Sequence, residues 1–301
     1  MIQKLFKRKI GLKWDEVITA YLFILPAGLG LLIFALLPII KALQISFLDY
    51  SIFQPENSQF VGLSNYAAIY RDKLFIKSML NTALYSTMVV ILQTILALIL
   101  ALLVKQKVRG LSFFRTAYFL PVIMSLVVAS TVWKLIYSST NGLLNSFLFL
   151  IGLPKQPFLL STSQALPSLA VMSVWKSAGF SMLIFLGGLL AIPDELNESA
   201  KIDGAGPLRI FFSITLPLLK RVTLFVVVIT TISSVKVFAE VYLMTRGGPQ
   251  ESTMVILYHI FRTGFRYFDL SYASAMSFIL LIIVFGITLL QFRLLRPEVD
   301  Y

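Results

Sequence analysis

The chain has 301 residues, 58% of them hydrophobic and 13% charged, with a mean hydropathy of +0.86. Soluble domains carry about a quarter charged residues, so this composition excludes an ordinary water-soluble fold. The net charge of +12 does not mark a nucleic-acid binder, because the basic residues flank apolar runs instead of lining one polar face, and with no cysteine there are no disulfides or thiolate metal sites.

A helix needs about 20 apolar residues to cross a bilayer, and six segments meet that length. The basic tail at 1–16, MIQKLFKRKIGLKWDE, leads into an apolar run from Val17 to Ile40. That run is too long for a signal peptide and has no small-residue cleavage site, so it reads as a retained first span, 17–41. Residues 42–76 hold turn formers and then a short helix. The second and third spans follow at 81–104 and 113–137. A segment at 138–165 carries Asn141-Gly142, Pro154 and Pro157. The fourth span, 166–192, precedes a polar loop, and the fifth is 220–244. In 245–270 the apolar stretch Met254–Phe261 is too short to span and suits a surface or re-entrant helix. The sixth span is 271–295, and 296–301 is a tail.

Basic residues accumulate on the cytoplasmic side of membrane proteins. With the N-terminus inside, fifteen fall there: Lys4, Lys7, Arg8, Lys9, Lys13, Lys105, Lys107, Arg109, Arg115, Lys201, Arg209, Lys220, Arg221, Arg293 and Arg296. Nine fall outside, at Lys41, Arg71, Lys73, Lys77, Lys134, Lys155, Arg246, Arg262 and Arg266. The expectation is an all-α, multi-pass protein of the cell membrane, with six transmembrane helices and both termini cytoplasmic.

The loop between spans four and five reads IPDELNESAKIDGAGPLRIFFSITLPLLK. Pro193 with Asp194 and Glu195 opens a helix with negative charge at its positive end. Gly204 supplies a left-handed stop, Gly206 a second flexible point, Pro207 a second helix start, and Pro217 the approach to span five. Leu196 and Ala200 share a face at i,i+4, while Phe211 and Phe212 are large apolar groups in a segment facing water. By itself the pattern fits an amphipathic linker lying on the membrane. The spacing Glu198-Ser199-Ala200, three residues, Gly204, nine residues, Ile214-Thr215-Leu216-Pro217 goes further. It resembles the E-A-A-x3-G-x9-I-x-L-P signature of permease subunits of ATP-binding-cassette (ABC) importers, departing from it at Ser199, a small residue in place of alanine.

FVGLSNY at Phe60–Tyr66, the pair Asn81-Thr82 opening span two, LMTRGGPQEST at Leu243–Thr253 and FRYFDLSYASAMS at Phe265–Ser277 extend the likeness to carbohydrate importers, on the side of the larger maltose permease. That subunit has two additional N-terminal spans and a large inserted outer domain; this chain has neither. The resemblance implies a type I permease core at 77–295. It also implies a coupling loop at 193–219 that docks into a separate ATPase, through Glu198, Ser199, Ala200, Asp203, Gly204, Ala205, Phe211, Phe212 and Pro217. Implied partners are a second homologous permease, an ATPase dimer holding ATP-Mg, an extracytoplasmic solute-binding protein, membrane lipid and a carbohydrate, with no nucleic acid. The chain has no G-x4-G-K-[ST] loop, so no cofactor is expected in it. His259, the lone histidine, has no cysteine or clustered carboxylates beside it; an exposed or interfacial residue is expected, with no metal or catalytic role.

Charged groups within spans cost about 2.5–3.5 kcal/mol each at the centre and mark cavities or partners. Span four holds Trp175, Lys176, Ser177 and Phe180; span five holds Thr230, Ser233, Ser234, Lys236, Val237 and Glu240. The i,i+4 pair Lys236–Glu240 could neutralise itself along one helix. These residues fit helix–helix contacts and snorkelling, or a polar, aromatic-walled passage for a sugar. The resemblance aligns Ser177, Phe180, Thr230, Ser233, Ser234 and Val237 with the maltose permease's sugar contacts, although Val237 stands where an amide sits there. Lys176 leaves an acidic or phosphorylated cargo open. The rival reading is an ion-coupled secondary carrier, for which Glu240 is the intramembrane acid; an integral membrane enzyme would need a convergent catalytic set that the spans lack.

Overall fold

The structure is a computed structural model that describes residues 14–105 and 110–294. Most of the tail at 1–16, the tail at 296–301, and the basic residues Lys4, Lys7, Arg8, Lys9, Lys13, Lys107, Arg109 and Arg296 lie outside the described residues.

Helix α1 (Trp14–Leu31), one π turn (Leu32–Leu36) and α2 (Leu37–Ser46) form a single rod, longer than the 17–41 expected. The π turn sits just before Pro38. Proline has no N–H to give the carbonyl four residues back, and its ring crowds that carbonyl; widening one turn relieves the conflict without breaking the helix. Strands β1 (Leu48–Asp49) and β2 (Gln59–Phe60) pair antiparallel, a two-residue ladder that the all-α reading did not include. Helix α3 (Ser64–Ile69) precedes α4 (Lys73–Lys105). The latter begins well before residue 81 because Asp72 caps it: Oδ1 accepts from the backbone N–H groups of Leu74 at 2.8 Å and Phe75 at 3.1 Å. Asn81 and Thr82 therefore sit in its third turn and do not open it.

The third span is not straight. It consists of α5 (Leu111–Ile123) and α6 (Leu126–Ile136), bent by 98° where Met124 and Ser125 are extended. After α7 (Leu143–Leu150) comes α8 (Ala165–Leu190), then the hairpin of α9 (Asp194–Ile202) and α10 (Pro207–Ile210). A second π turn (Phe211–Thr215) leads into α11 (Leu216–Leu218), again just ahead of a proline, Pro217. The chain then bends by 65° into α12 (Lys220–Val235). The expected helix 220–244 also breaks: Lys236 caps α12, Phe238 leaves helical geometry, and α13 (Ala239–Met244) starts afresh. The i,i+4 pairing of Lys236 with Glu240 is thereby lost. Helices α14 (Ile256–Arg266) and α15 (Leu270–Leu294) complete the described fold. Among the described residues four helices are long and apolar enough to cross a membrane singly, and up to six spans result if each bent pair counts as one.

The centre is the α4–α8 pair, with α12 laid against α4 and α5 against α8. Small side chains let the backbones approach closely, as lipid-embedded bundles require: Ala97, Ala101 and Ala178 are buried, and a Cβ added at Gly179 would run into the carbonyl of Tyr118 on α5. The outer faces carry large exposed apolar residues, and the apolar window of Val17–Ser46 is wholly unburied, as a surface turned to lipid demands.

Candidate functional site

Three features stand out: a cavity in the bundle, the 193–219 hairpin, and a polar clasp at the end of the bundle opposite the hairpin.

The cavity has a volume of about 260 Å³. Its wall contains Lys176, Ser177 and Phe180 from α8, Thr230, Ser233 and Ser234 from α12, and Val237 and Glu240 at the α12–α13 break. Of the span residues singled out in the sequence, Trp175 and Lys236 stand apart: Trp175 lies edge-on to Trp133 with ring centroids 5.5 Å apart, and Lys236 is exposed. Four polar wall residues were missed: Tyr85 and Gln93 on α4, and Ser173 and Ser181 on α8. Helical spacing was the available signal. Tyr85, Val89 and Gln93 recur at i, i+4, i+8, as do Ser173, Ser177 and Ser181, so each set forms one stripe, and the two stripes face each other.

The wall is hydrogen-bonded across helices. Gln93 Nε2 donates to Ser181 Oγ at 2.8 Å and to Thr230 Oγ1 at 3.4 Å, joining α4, α8 and α12. Ser173 Oγ donates to Glu240 Oε1 at 3.4 Å, so the 2.6 Å bond between Tyr85 and Ser173 runs from the tyrosine hydroxyl to the serine. Lys176 Nζ donates to the backbone carbonyls of Met124 at 2.9 Å, Val122 at 3.3 Å and Pro121 at 3.4 Å. The Val122 and Met124 oxygens are freed where α5 ends, while that of Pro121 also accepts the Met124 N–H at 3.3 Å; each buried unsatisfied carbonyl would cost about 1–3 kcal/mol. The lysine thus closes the break in the third span.

The hairpin is built around Gly204, whose φ is +77°. The Gly204 N–H bonds to the carbonyl of Lys201 at 3.0 Å and the Ala205 N–H to that of Ala200 at 2.9 Å, the paired bonds of a Schellman stop. In that motif the residues at the Ala200 and Ala205 positions meet, which accounts for a small residue at Ala200. Ser199, the departure from the signature, settles its hydroxyl locally on the carbonyl of Glu195 at 2.8 Å. Helix α9 buries none of its residues; Glu198 and Asp203 are exposed and Ala200 half-buried. Leu196, Ile202, Leu208 and Phe212 stand out as exposed apolar groups, Phe211 lies edge-on to Phe212 at 5.0 Å, and Pro217 is exposed beside the bend into α12.

At the opposite end, α14 is held to α4. Thr82 Oγ1 accepts the Ile256 N–H at 2.9 Å, and Asn81 Nδ2 donates to the carbonyls of Glu251 and Met254, each at 3.0 Å. Asp72 Oδ2 accepts from Tyr272 Oη at 2.9 Å and lies 3.3 Å from His259 Nε2. Of the exposed or interfacial position expected from the sequence, the exposed alternative fails: His259 is 4% exposed, because α14 turns that face inward onto α4 and α15. Burial pushes the His259 pKa below its usual 6.5, with Asp72 opposing and Arg262 assisting. Burial acts to raise that of Asp72, but hydrogen bonds from Phe75, Tyr272, His259 and Leu74 leave it below 3.8.

A multi-pass helical bundle with broken spans, a polar cavity in its middle and a projecting hairpin is the architecture of a type I ABC importer permease. The chain belongs to the binding-protein-dependent transport system inner membrane components, matching that family over residues 93–296. It is 36% identical over 283 residues to the probable ABC transporter permease protein YurN of Bacillus subtilis, covering 93% of this chain and 96% of that one. To the sn-glycerol-3-phosphate transport system permease protein UgpA of Escherichia coli O157:H7 it is 34% identical over 282 residues, covering 93% and 95%. A chain of the bacterial alginate ABC transporter, crystallised with its alginate pentasaccharide-bound periplasmic protein, superposes with a TM-score of 0.81 at 25% identity over 95% of this chain and 96% of that one.

Proposed function

We propose that this chain is one of two membrane-spanning subunits of an ATP-driven carbohydrate importer. Both termini and the 193–219 hairpin face the cytoplasm, and the hairpin seats in a cleft of an ATPase pair that binds ATP-Mg. The chain performs no covalent chemistry; it contributes half of a passage that opens alternately to the two sides. A second permease supplies the other half, and an extracytoplasmic binding protein delivers cargo.

The observation that carries this reading is the hairpin. It is a Schellman-stopped pair of short helices that carries the E-S-A-x3-G spacing and presents apolar groups that no described residue covers. The relatives named for sn-glycerol-3-phosphate and alginate transport support a polyhydroxylated cargo, and so does a cavity lined by hydroxyls, an amide and the Phe180 ring. The test is uptake into vesicles holding this chain with its permease, ATPase and binding-protein partners. Uptake that requires ATP and the ATPase and is indifferent to ionophores supports the reading. Uptake abolished by ionophores, or persisting without the ATPase, overturns it in favour of an ion-coupled carrier.

A further inference from the structure

The relatives above are named for transport of an anionic phosphoester and of alginate, yet the cavity wall of this chain is not arranged to receive an anion. It carries one cation and one anion, Lys176 and Glu240. The Lys176 ammonium is turned to the carbonyls of Met124, Val122 and Pro121, at 2.9, 3.3 and 3.4 Å. Those carbonyls form the negative end of α5, worth about half an elementary charge, which offsets much of the field the ammonium would project. Glu240 is in the opposite situation. It sits where α12 has broken off, so the turn that would have placed Lys236 beside it is missing, and Lys236 is exposed and not part of the wall. Its hydrogen bond across the cavity is the 3.4 Å contact from Ser173. A carboxylate has about four acceptor sites; the Ser173 contact and a bond from its own backbone N–H leave acceptor sites of Glu240 open at the wall. The remaining polar wall groups are hydroxyls and the Gln93 amide, both Nε2 donors of which already serve Ser181 and Thr230.

We infer that Glu240 is the specificity-determining charge of this passage: the cavity admits hydroxyl-rich cargo without negative charge and excludes phosphorylated or uronate-type sugars. A neutral polyol brings O–H donors that a carboxylate and serine oxygens can accept. A phosphate or carboxylate substituent adds charged acceptors, which meet like charge at Glu240 and a Lys176 ammonium already turned to backbone carbonyls. The inference rests on the cavity being the cargo passage.

The native chain has no cysteine, which permits a test that needs no knowledge of the sugar. Ser233 lines the cavity and is exposed. In the assembled transporter, Ser233→Cys is treated with neutral methyl, cationic trimethylammonioethyl or anionic sulfonatoethyl methanethiosulfonate. Modification is read by the mass of this chain, and each rate is divided by that reagent's rate with a free thiol. The expected result is a cationic-to-anionic ratio of about tenfold, the size of effect a unit charge a few ångströms away produces at a partly hydrated wall, with the neutral reagent between. Glu240→Gln in the same background should bring the ratio close to one. A wild-type ratio near one, or in favour of the anion, overturns the inference whether or not the Glu240 variant assembles; so does a preference that survives Glu240→Gln. Failure of all three reagents to reach Ser233→Cys would instead refute the passage itself.

Discussion

Gly204 offers a graded test of how the hairpin works. Its φ of +77° lies in the left-handed region, and a Cβ built there meets nothing within 4 Å. Steric collision is therefore absent, and the whole cost of a side chain is backbone conformation, about 1–2 kcal/mol for an ordinary L-residue. That corresponds to roughly a 5–30-fold loss in the population of the closed turn. The two bonds it holds, Gly204 to Lys201 at 3.0 Å and Ala205 to Ala200 at 2.9 Å, are lost with it. Residues differ in their tolerance of this region: asparagine enters it most readily, alanine less, and a β-branched side chain least. ATP-driven uptake by the reconstituted complex should thus fall in the order glycine, asparagine, alanine, valine. The amount of chain in the membrane fraction should stay constant, because the hairpin buries almost nothing of its own bundle. If Gly204→Val transports as well as the native chain, or Gly204→Asn fares worse than Gly204→Val, the left-handed turn is not what transmits motion.

The same loop should respond to charge. Gly204→Asp sets a second carboxylate beside Asp203, and Glu198→Lys reverses an exposed charge in the signature; both should uncouple uptake from ATP hydrolysis or block assembly with the ATPase while insertion is unchanged, as co-purification would reveal. In α8, Gly179→Ala pushes a methyl group into the carbonyl of Tyr118, and overpacking of this kind costs about 1–3 kcal/mol. Gly187→Ala on the same helix meets nothing within 4 Å and should be neutral or slightly stabilising, so melting of the purified protein should separate the two. At the clasp, the folded state holds the His259 pKa below 6.5, so below that pH the unfolded chain binds more protons and stability falls. The melting temperature should be flat above pH 6.5, drop as pH decreases from 6.5 toward the folded value, and lose that drop in His259→Gln. The Asp72 carboxylate adds its own loss only below pH 3.8.

Much of this molecule was legible in the sequence because lipid imposes a harsh rule on it. A buried polar group there must find a partner, so Lys176, Thr230, Ser233, Ser234 and Glu240 marked either helix–helix contacts or a passage before any helix was placed. The hairpin was legible for a different reason: Pro193, Gly204 and Pro207 fix backbone dihedrals locally, and no tertiary contact is needed to read them. The breaks at Met124–Ser125 and after Val235 were not legible. A span surrounded by lipid and other helices is apolar on every side, so its hydrophobic pattern looks the same whether the rod is straight or bent. Pro121 lies within α5, ahead of the turn that fails, and marks no boundary. What stabilises the first bend is an amine on another helix, reaching carbonyls 52 to 55 residues away in sequence. The length of α4 was hidden in a similar way, since its cap, Asp72, is also the acceptor for His259 and Tyr272 from distant helices. These interactions share one logic. Where a helix stops inside the bundle its freed carbonyls or N–H groups must be bonded, by a local cap such as Asp72 or by a neighbouring helix, as Lys176 does for α5. The polar residues of this chain thus do two jobs that the sequence shows as one: some face the cavity, and others hold the broken helices that create it. Lys176 bonds the carbonyls at the first bend and Glu240 accepts from Ser173 across the cavity, so two charges of similar cost in the sequence have unlike surroundings in the fold.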